Sequence, residues 1–403
     1  MLNRQLANKL FDSFSIHRWS DRVKPIDLIL IDKHAHKAVL TFIIASIEED
    51  RGKKIDWLYI VNGIVFSFLR SIALSDIKSP VIKRIKNENP EQFKELNQWV
   101  VKQYEPCIEN PEFQSELETF LNDNPTNNEY ELSILTAADR YSSLREFEII
   151  KPANESFPEI DVIESRIKND ISKLPSFEAI HQLTAKTKLF NALCIIEQLR
   201  YQKRWGRTPR IPLTSVLGHS MYVAMLMYFI SRDLNVCKKR LVNNFYAALF
   251  HDLPESVTRD IISPVKHATT ELPGIIKDIE QKVCEEELYP LFPSYITKRL
   301  KYLIGDLPEL EDEFSNRIIS NGTIIDLHDE PLNSMYNINE LNPVDGKLIK
   351  VCDHIAAFME VVKSQEYGIT SQYIRDGISE LRNIYKNDTM VQGFNVRKFF
   401  DEF

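Results

Sequence analysis

Two histidines and two aspartates in the second half of the chain, His219, His251, Asp252 and Asp353, are of the types that hold a divalent transition metal. Imidazole nitrogen and carboxylate oxygen on a rigid frame, with a position left for water, make a hydrolytic centre. Glu255 follows Asp252 by three residues, so one helical turn brings a further carboxyl beside the set. Neighbours on a helix point about 100° apart, so His251 and Asp252 reach one ion only from a helix end. Taken singly, each has an ordinary reading as a core histidine or a helix-face charge. The case rests on the combination.

Those residues need helices to position them. Segments 37–47, 57–75, 177–200, 220–231, 241–252 and 348–363 place apolar residues at spacings of three and four. With only 11 glycines, the chain reads as all-α. His219 begins one apolar helix, His251-Asp252 end another, and Asp353 lies near the start of a third. In helical bundles such ligands project inward from facing helices. At 403 residues the chain exceeds a single core of about 250–300 residues. Pro152, Pro158 and Pro175 mark a connector at 151–185, between a first domain (1–150) and a second (186–403). Turn signals NGT, DEP and NPVDG mark an insertion at 320–346, read as a hairpin or lid.

The chain also repeats itself. Arg18-Trp19 recurs as Arg204-Trp205 at an offset of 186, and His34 stands opposite His219 at 185. FSFLRSIALSDIKSPVIK (66–83) faces FHDLPESVTRDIISPVK (250–266), pairing Asp76 with Asp260 at 184. Asp139 stands opposite Asp353 at 214, which puts the extra residues within 267–352. The chain reads as two tandem helical bundles, the first degenerate. Where the second has His251-Asp252, the first has Ser67-Phe68, and Ser71 replaces Glu255. Two of four ligands are gone, so the first copy is expected to hold no catalytic metal.

Composition narrows the partners. The net charge of −8 offers no overall field for a phosphate backbone, which disfavours nucleic acid. Five scattered cysteines without a CxxC pair read as reduced thiols in a cytoplasm. The N-terminus lacks a secretory h-region, and no uncharged apolar stretch reaches the ~18–20 residues of a membrane span. A cytoplasmic protein without membrane attachment is expected, and a homo-oligomer is compatible with it.

The words RW (204–205), GHS (218–220), HDLPESVTRDIISPVK (251–266) and CDHIAAFME (352–360) resemble the HD-domain metal-dependent phosphohydrolase superfamily. Within it the likeness is to the bacterial 5′-deoxynucleotidase type and its HD-domain-containing relatives, over roughly 186–390. The resemblance implies an HD-type bundle in which His219, His251, Asp252 and Asp353 hold one divalent ion. That ion could be manganese, cobalt, iron, nickel, zinc or magnesium. It further implies Glu255 and Asp260 as catalytic groups, with Glu255 assisting proton transfer. Arg204 and Trp205 would meet the phosphate and sugar, with Thr258 and Lys266 also at the substrate. The activity implied is cleavage of a nucleotide phosphate ester, foremost a (deoxy)nucleoside 5′-monophosphate, by metal-activated water. A nucleotide-sensing or partner-binding regulator with weak or no turnover is the competing reading, suggested by the degenerate first copy.

Overall fold

Apolar residues at helical spacing bury themselves only by packing against other helices, and the longest such stretches are the buried helices of two compact units. The computed structural model describes the chain apart from residues 76, 123–126, 260, 262–264, 266–267, 329 and 387–388. It divides into two compact units, Met1–His181 and Gln182–Phe403. The described structure is helical with four short strands, an all-α architecture as expected.

The first unit contains α1 (Arg4–Phe11), α2 (Leu30–Asp50), α3 (Trp57–Leu74), α4 (Ser79–Glu88), α5 (Pro90–Lys102), α6 (Pro111–Leu121), α7 (Glu129–Ile150) and α8 (Glu159–Ser172). Its centre is α2, buried from Leu30 to Glu48, including Lys33, His34, His36 and Lys37. Helices α3 and α7 flank it. By length and apolar composition α3 could cross a membrane, but Ile60, Val61, Ile64, Val65, Phe68 and Leu69 lie in the core of this unit.

Beyond it, α9 (Glu178–Thr184) and α10 (Lys188–Glu197) lead to α11 (Val216–Asp233), α12 (Lys238–Phe250), α13 (Glu255–Thr258), α14 (Leu272–Val283) and α15 (Ser294–Ile304). Strands β1 (Arg317–Ser320) and β2 (Thr323–Asp326) precede α16 (Leu332–Met335), α17 (Gly346–Glu366) and α18 (Gln372–Ile384). Strands β3 (Met390–Val391) and β4 (Phe394–Asn395) and α19 (Val396–Asp401) close the chain. Helix α11 is buried from Val216 to Ser231 and packs on α12 and α17.

Three details differ from, or sharpen, the sequence reading. The single helix expected over 177–200 is two, because Lys186 turns left-handed (φ 53°). Thr187 N–H then reaches Gln182 O and Lys186 N–H reaches Leu183 O, a Schellman closure without glycine. The segment expected to connect domains is packed: Ile160 and Ile163 of α8 are buried with Phe147, Ile150 and Leu28. Its prolines border a helix and leave no free linker. The insertion forms a hairpin, β1 against β2, turned at Asn321-Gly322 with both residues at positive φ (51° and 78°). Buried Arg317 fixes it by donating to the carbonyls of Tyr302, Leu303 and Ser315. Asp345, just before α17, takes a bidentate pair from Arg240 of α12 at 2.7 Å on both oxygens, with both side chains fully buried.

Each unit opens its buried helix with the same loop. Trp19 and Trp205 both hold left-handed backbone (φ 53° and 58°). Arg18 N–H donates to Leu28 O, as Arg204 N–H does to Thr214 O. Leu30 N–H donates to Ile16 O, as Val216 N–H does to Gln202 O.

Candidate metal centre

Three helices bring the four expected ligands together. His219 sits in the first turn of α11, whose N-cap Ser215 accepts from Gly218 N–H at 2.9 Å. His251 caps the C-terminus of α12, with Asp252 next, so the neighbours escape the helical divergence. Asp353 lies two turns into α17. His219 Nε2 is 2.9 Å from Asp353 Oδ1 and 3.9 Å from Asp252 Oδ2. His251 Nε2 is 3.2 Å from Asp252 Oδ1 and 4.0 Å from Asp353 Oδ1. Donors about 2.0–2.2 Å from one ion stand at most about 4.4 Å apart, and each of these spacings is within that reach, with Asp252 meeting His219 and His251 through different oxygens.

The tautomer fits as well. His251 Nδ1 lies 2.8 Å from the Ala248 carbonyl, which places the proton there. Nε2, buried and without a hydrogen-bond partner, keeps its lone pair toward the centre. A buried imidazole presented this way suits a metal. Among the described residues, His219, His251 and Asp353 also form the one group of at least three potential donors close enough to share an ion.

The electrostatics show how much positive charge the centre calls for. Burial and Arg204 push the His219 imidazolium down, but Asp353 and Glu360 overcome them and raise its pKa to about 9. Burial pushes Asp353 up, yet His219, His251 and Arg204 hold it well below the usual carboxylate range.

Arg204 is half-buried beside the centre. Its Nη1 is 3.5 Å from Asp252 and its Nη2 3.9 Å from Asp353. Burial works against its charge, but Glu360, Asp252, Asp353 and Glu255 more than offset that. Trp205 donates Nε1–H to Glu360 at 2.6 Å, and its ring lies against Gly377 of α18. Glu255 is buried at the start of α13, three residues beyond Asp252. Thr258 ends that helix with its hydroxyl on Pro254 O at 3.3 Å. Asp260 and Lys266 lie outside the described residues.

One central residue went unassigned in the sequence. Glu360, 1% exposed, receives Trp205 Nε1–H and the Thr214 hydroxyl (2.8 Å), with Arg204 Nε and His219 Nδ1 each at 3.4 Å. Burial opposes its charge, but Arg204, Arg210 and His219 hold the carboxyl far below its ordinary range. It stands seven residues, two turns, after Asp353, and is therefore on the same face of α17. Glu146 likewise stands seven after Asp139, and receives Arg18 Nε–H at 3.0 Å and Trp19 Nε1–H at 3.0 Å. The same seven-residue spacing in both units is the sequence signal that could have found it.

In the first unit Phe68 is fully buried, its ring 5.1 Å from that of His34. Ser67 and Ser71 turn their hydroxyls onto α3 carbonyls. His36 is engaged with Ser142 at 2.9 Å. Asp139 binds the ammonium of Lys33 instead of an imidazole. Asp76 lies outside the described residues.

Comparison with known proteins agrees with this geometry. The family model described as "HD domain" matches residues 196–382. The 5′-deoxynucleotidase yfbR of Photorhabdus temperata is 25% identical over 127 residues, covering 30% of this chain and 62% of that protein. The 5′-deoxynucleotidase of Yersinia pestis (strain Pestoides F) is 26% identical over 125 residues, covering 29% and 61%. The chain thus spans about three fifths of the length of these relatives. No solved structure matches.

Proposed function

Starting from the premise that residues 196–382 are an HD domain, we propose that this unit is a metal-dependent phosphohydrolase acting on a nucleotide, foremost a (deoxy)nucleoside 5′-monophosphate. The observation that supports the reading is the convergence of His219, His251 and Asp353, whose donor atoms lie close enough to share an ion, with Asp252 beside His251. The monophosphate is suggested by the relatives' name, 5′-deoxynucleotidase.

His219, His251, Asp252 and Asp353 would hold the ion, and mixed nitrogen and oxygen donors suit manganese, cobalt, iron, nickel or zinc. A bound divalent ion would lower the pKa of water and polarise the phosphoryl group. The chain's own groups do the rest. Arg204, fixed through Nε by Glu360, turns its two terminal nitrogens toward the centre, where they meet phosphate oxygens. The oxygen of water bonds to phosphorus while the ester P–O bond breaks. A protonated Glu255 hands its proton to the departing sugar oxygen and regains one from the attacking water, giving a nucleoside and inorganic phosphate. On the resemblance alone, Asp260 is assigned a catalytic role, Trp205 and Thr258 contact with the substrate, and Lys266 positive charge beside it. Reading the two units as copies of one ancestor is supported by their shared Arg-Trp loop and its glutamate.

The test is a turnover assay. Purified protein with manganese or cobalt is offered a panel of nucleotides beside Asp252→Ala. Phosphate release from 5′-monophosphates well above that control is expected. Tight nucleotide binding with no release above the control would overturn the hydrolase and leave the regulator. A cobalt(II) absorption spectrum, lost in His251→Ala, reports the ligand set independently of turnover.

A further inference from the structure

The three helices that carry the expected ligands meet a second time, through polar side chains. Asn244 of α12 donates to the Ser231 hydroxyl of α11 at 3.1 Å and to Asp345, at the head of α17, at 2.7 Å. Its side-chain oxygen accepts the Asp345 backbone N–H at 2.9 Å. Asp345 holds Arg240 of α12 as well, and Ser231, Arg240, Asn244 and Asp345 are all fully buried. Asn244 stands seven residues before His251, two turns back on the same face of α12, and Asp345 stands eight before Asp353. Apolar burial is non-directional, whereas a satisfied polar node has one geometry. These four side chains therefore set how α11, α12 and α17 stand along one another.

The insertion supports that node. By its own sequence α12 opens poorly. Its N-cap is Cys237, whose side chain makes no capping bond, and its first turn holds Lys238, Lys239 and Arg240, three cations at the positive end of the helix dipole. The missing acceptors come from residues 337–345. Asn337 Oδ1 accepts Cys237 N–H at 2.7 Å and Arg240 Nη1 at 3.3 Å, and Asn339 Oδ1 accepts Lys239 N–H at 2.9 Å. Asn243 donates to the Asn342 and Pro343 carbonyls at 3.0 and 3.2 Å. The start of α17 is seated too. Lys347 N–H donates to Asn316 at 3.2 Å, and a side chain at Gly346 would stand 2.3 Å from the carbonyl oxygens of Phe314 and Ser315. In the first unit α3, which bears Ser67 and Phe68, carries its own cap: Asp56 accepts Tyr59 N–H at 3.0 Å.

We propose that Asn244 and Asp345 are positioning residues for the metal centre, and that the insertion, through Asn337 and Asn339, is the brace that holds them and not a lid over the substrate. The node sets the depth at which α12 presents His251 and Asp252 to Asp353 of α17. Acting through the spacing of the ligands, it bears on metal affinity and leaves the substrate's own contacts alone. The inference rests on the reading of those residues as a metal set.

The test is cobalt(II) binding by the full chain, read by chelator competition and by the absorption spectrum. Asn244→Ala keeps the Arg240–Asp345 pair and removes both bridges. It is expected to weaken cobalt binding about tenfold and to alter the spectrum, while the helical far-ultraviolet signal stays native. Asn337→Ala, on the insertion, is expected to act in the same direction, and serves as the second variant should Asn244→Ala fail to fold. Tyr289→Phe takes from the same unit a bond outside the node, that to Asp306 at 2.6 Å. It should lower the unfolding midpoint and leave cobalt affinity unchanged. Cobalt affinity equal to wild type in the folded node variants would overturn the proposal, because a merely structural node moves the midpoint alone. So would an equal loss in Tyr289→Phe, or unchanged affinity with a raised KM for a 5′-monophosphate at saturating metal, the mark of a lid. A wild type that binds no cobalt would overturn the metal reading itself and this inference with it, which keeps the two failures apart.

Discussion

Replacing Glu360 by glutamine changes one atom and no volume, yet the consequence can be worked out from hydrogen-bond bookkeeping. The carboxylate faces four donors, two on each oxygen. Trp205 Nε1 and Arg204 Nε are on Oε2, and the Thr214 hydroxyl and His219 Nδ1 on Oε1. A carboxylate is acceptor-only and can serve all four, whereas an amide has one oxygen and an NH2. In one orientation the NH2 confronts Trp205 and Arg204. In the other it confronts His219 Nδ1–H, which can escape only by moving its proton to Nε2, the atom wanted by the metal. Either way a buried polar group goes unsatisfied, at about 1–3 kcal/mol. Groups that hydrogen-bond the far nitrogen of metal-binding histidines are typically worth about 10–100-fold in metal affinity or activity, the same range. Glu360→Gln is therefore expected to weaken metal binding about 10–100-fold while the helical far-ultraviolet signal stays native. Chelator competition measures the affinity. Turnover at saturating metal then separates the two orientations: recovery of kcat with normal KM points to His219, a persistently raised KM to Arg204. Unchanged metal affinity together with unchanged kcat/KM would refute the assignment of Glu360 as the residue that positions both.

Two further outcomes are expected. Burial lowers the Lys37 pKa from 10.5 to about 8, against the pull of Asp139. Below about pH 8 the folded first unit bears the full cost of that charge. From there to 10.5 the folded lysine loses its proton before the unfolded one does, so native stability climbs with pH. Lys37→Met should gain up to about 3 kcal/mol at pH 7, a gain that fades toward pH 10.5; denaturant midpoints at the two pH values check it. Asp345→Asn should cost the second unit about 3–5 kcal/mol in urea unfolding, because Arg240 would stay buried with its charge uncompensated.

The grouping of His219, His251 and Asp353 was legible because residue type and motif both point to it: these residues and Asp252 are unusual in combination, and their helices are strongly periodic. Glu360 was missed because its meaning lies in Trp205 and Arg204, about 155 residues earlier in the chain. It was recoverable from the two-turn spacing repeated at Glu146. Lys33 and Lys37 were passed over for a different reason. A lysine on a helix reads as solvated, and only the packing of α2 on every side makes these two interior. Lys186 broke an expected helix because it adopts a left-handed conformation that glycine or asparagine usually announces. The hairpin was easier, since Asn321-Gly322 states its own turn.

The Arg-Trp loop and its glutamate also bear on how the molecule comes into being. The loop is made early and its carboxylate partner arrives with α17, 156 residues later for Arg204 and Glu360. Ribosomal synthesis adds about 5–20 residues each second, so the nascent second unit spends on the order of ten seconds with His219, His251 and Asp252 already present and Asp353 still to come. During that interval Trp205 has no acceptor to hold it in its unfavourable backbone state. The proposed centre is therefore complete only once α17 has been made and docked, and a partly grown chain lacks Asp353 from its ligand set.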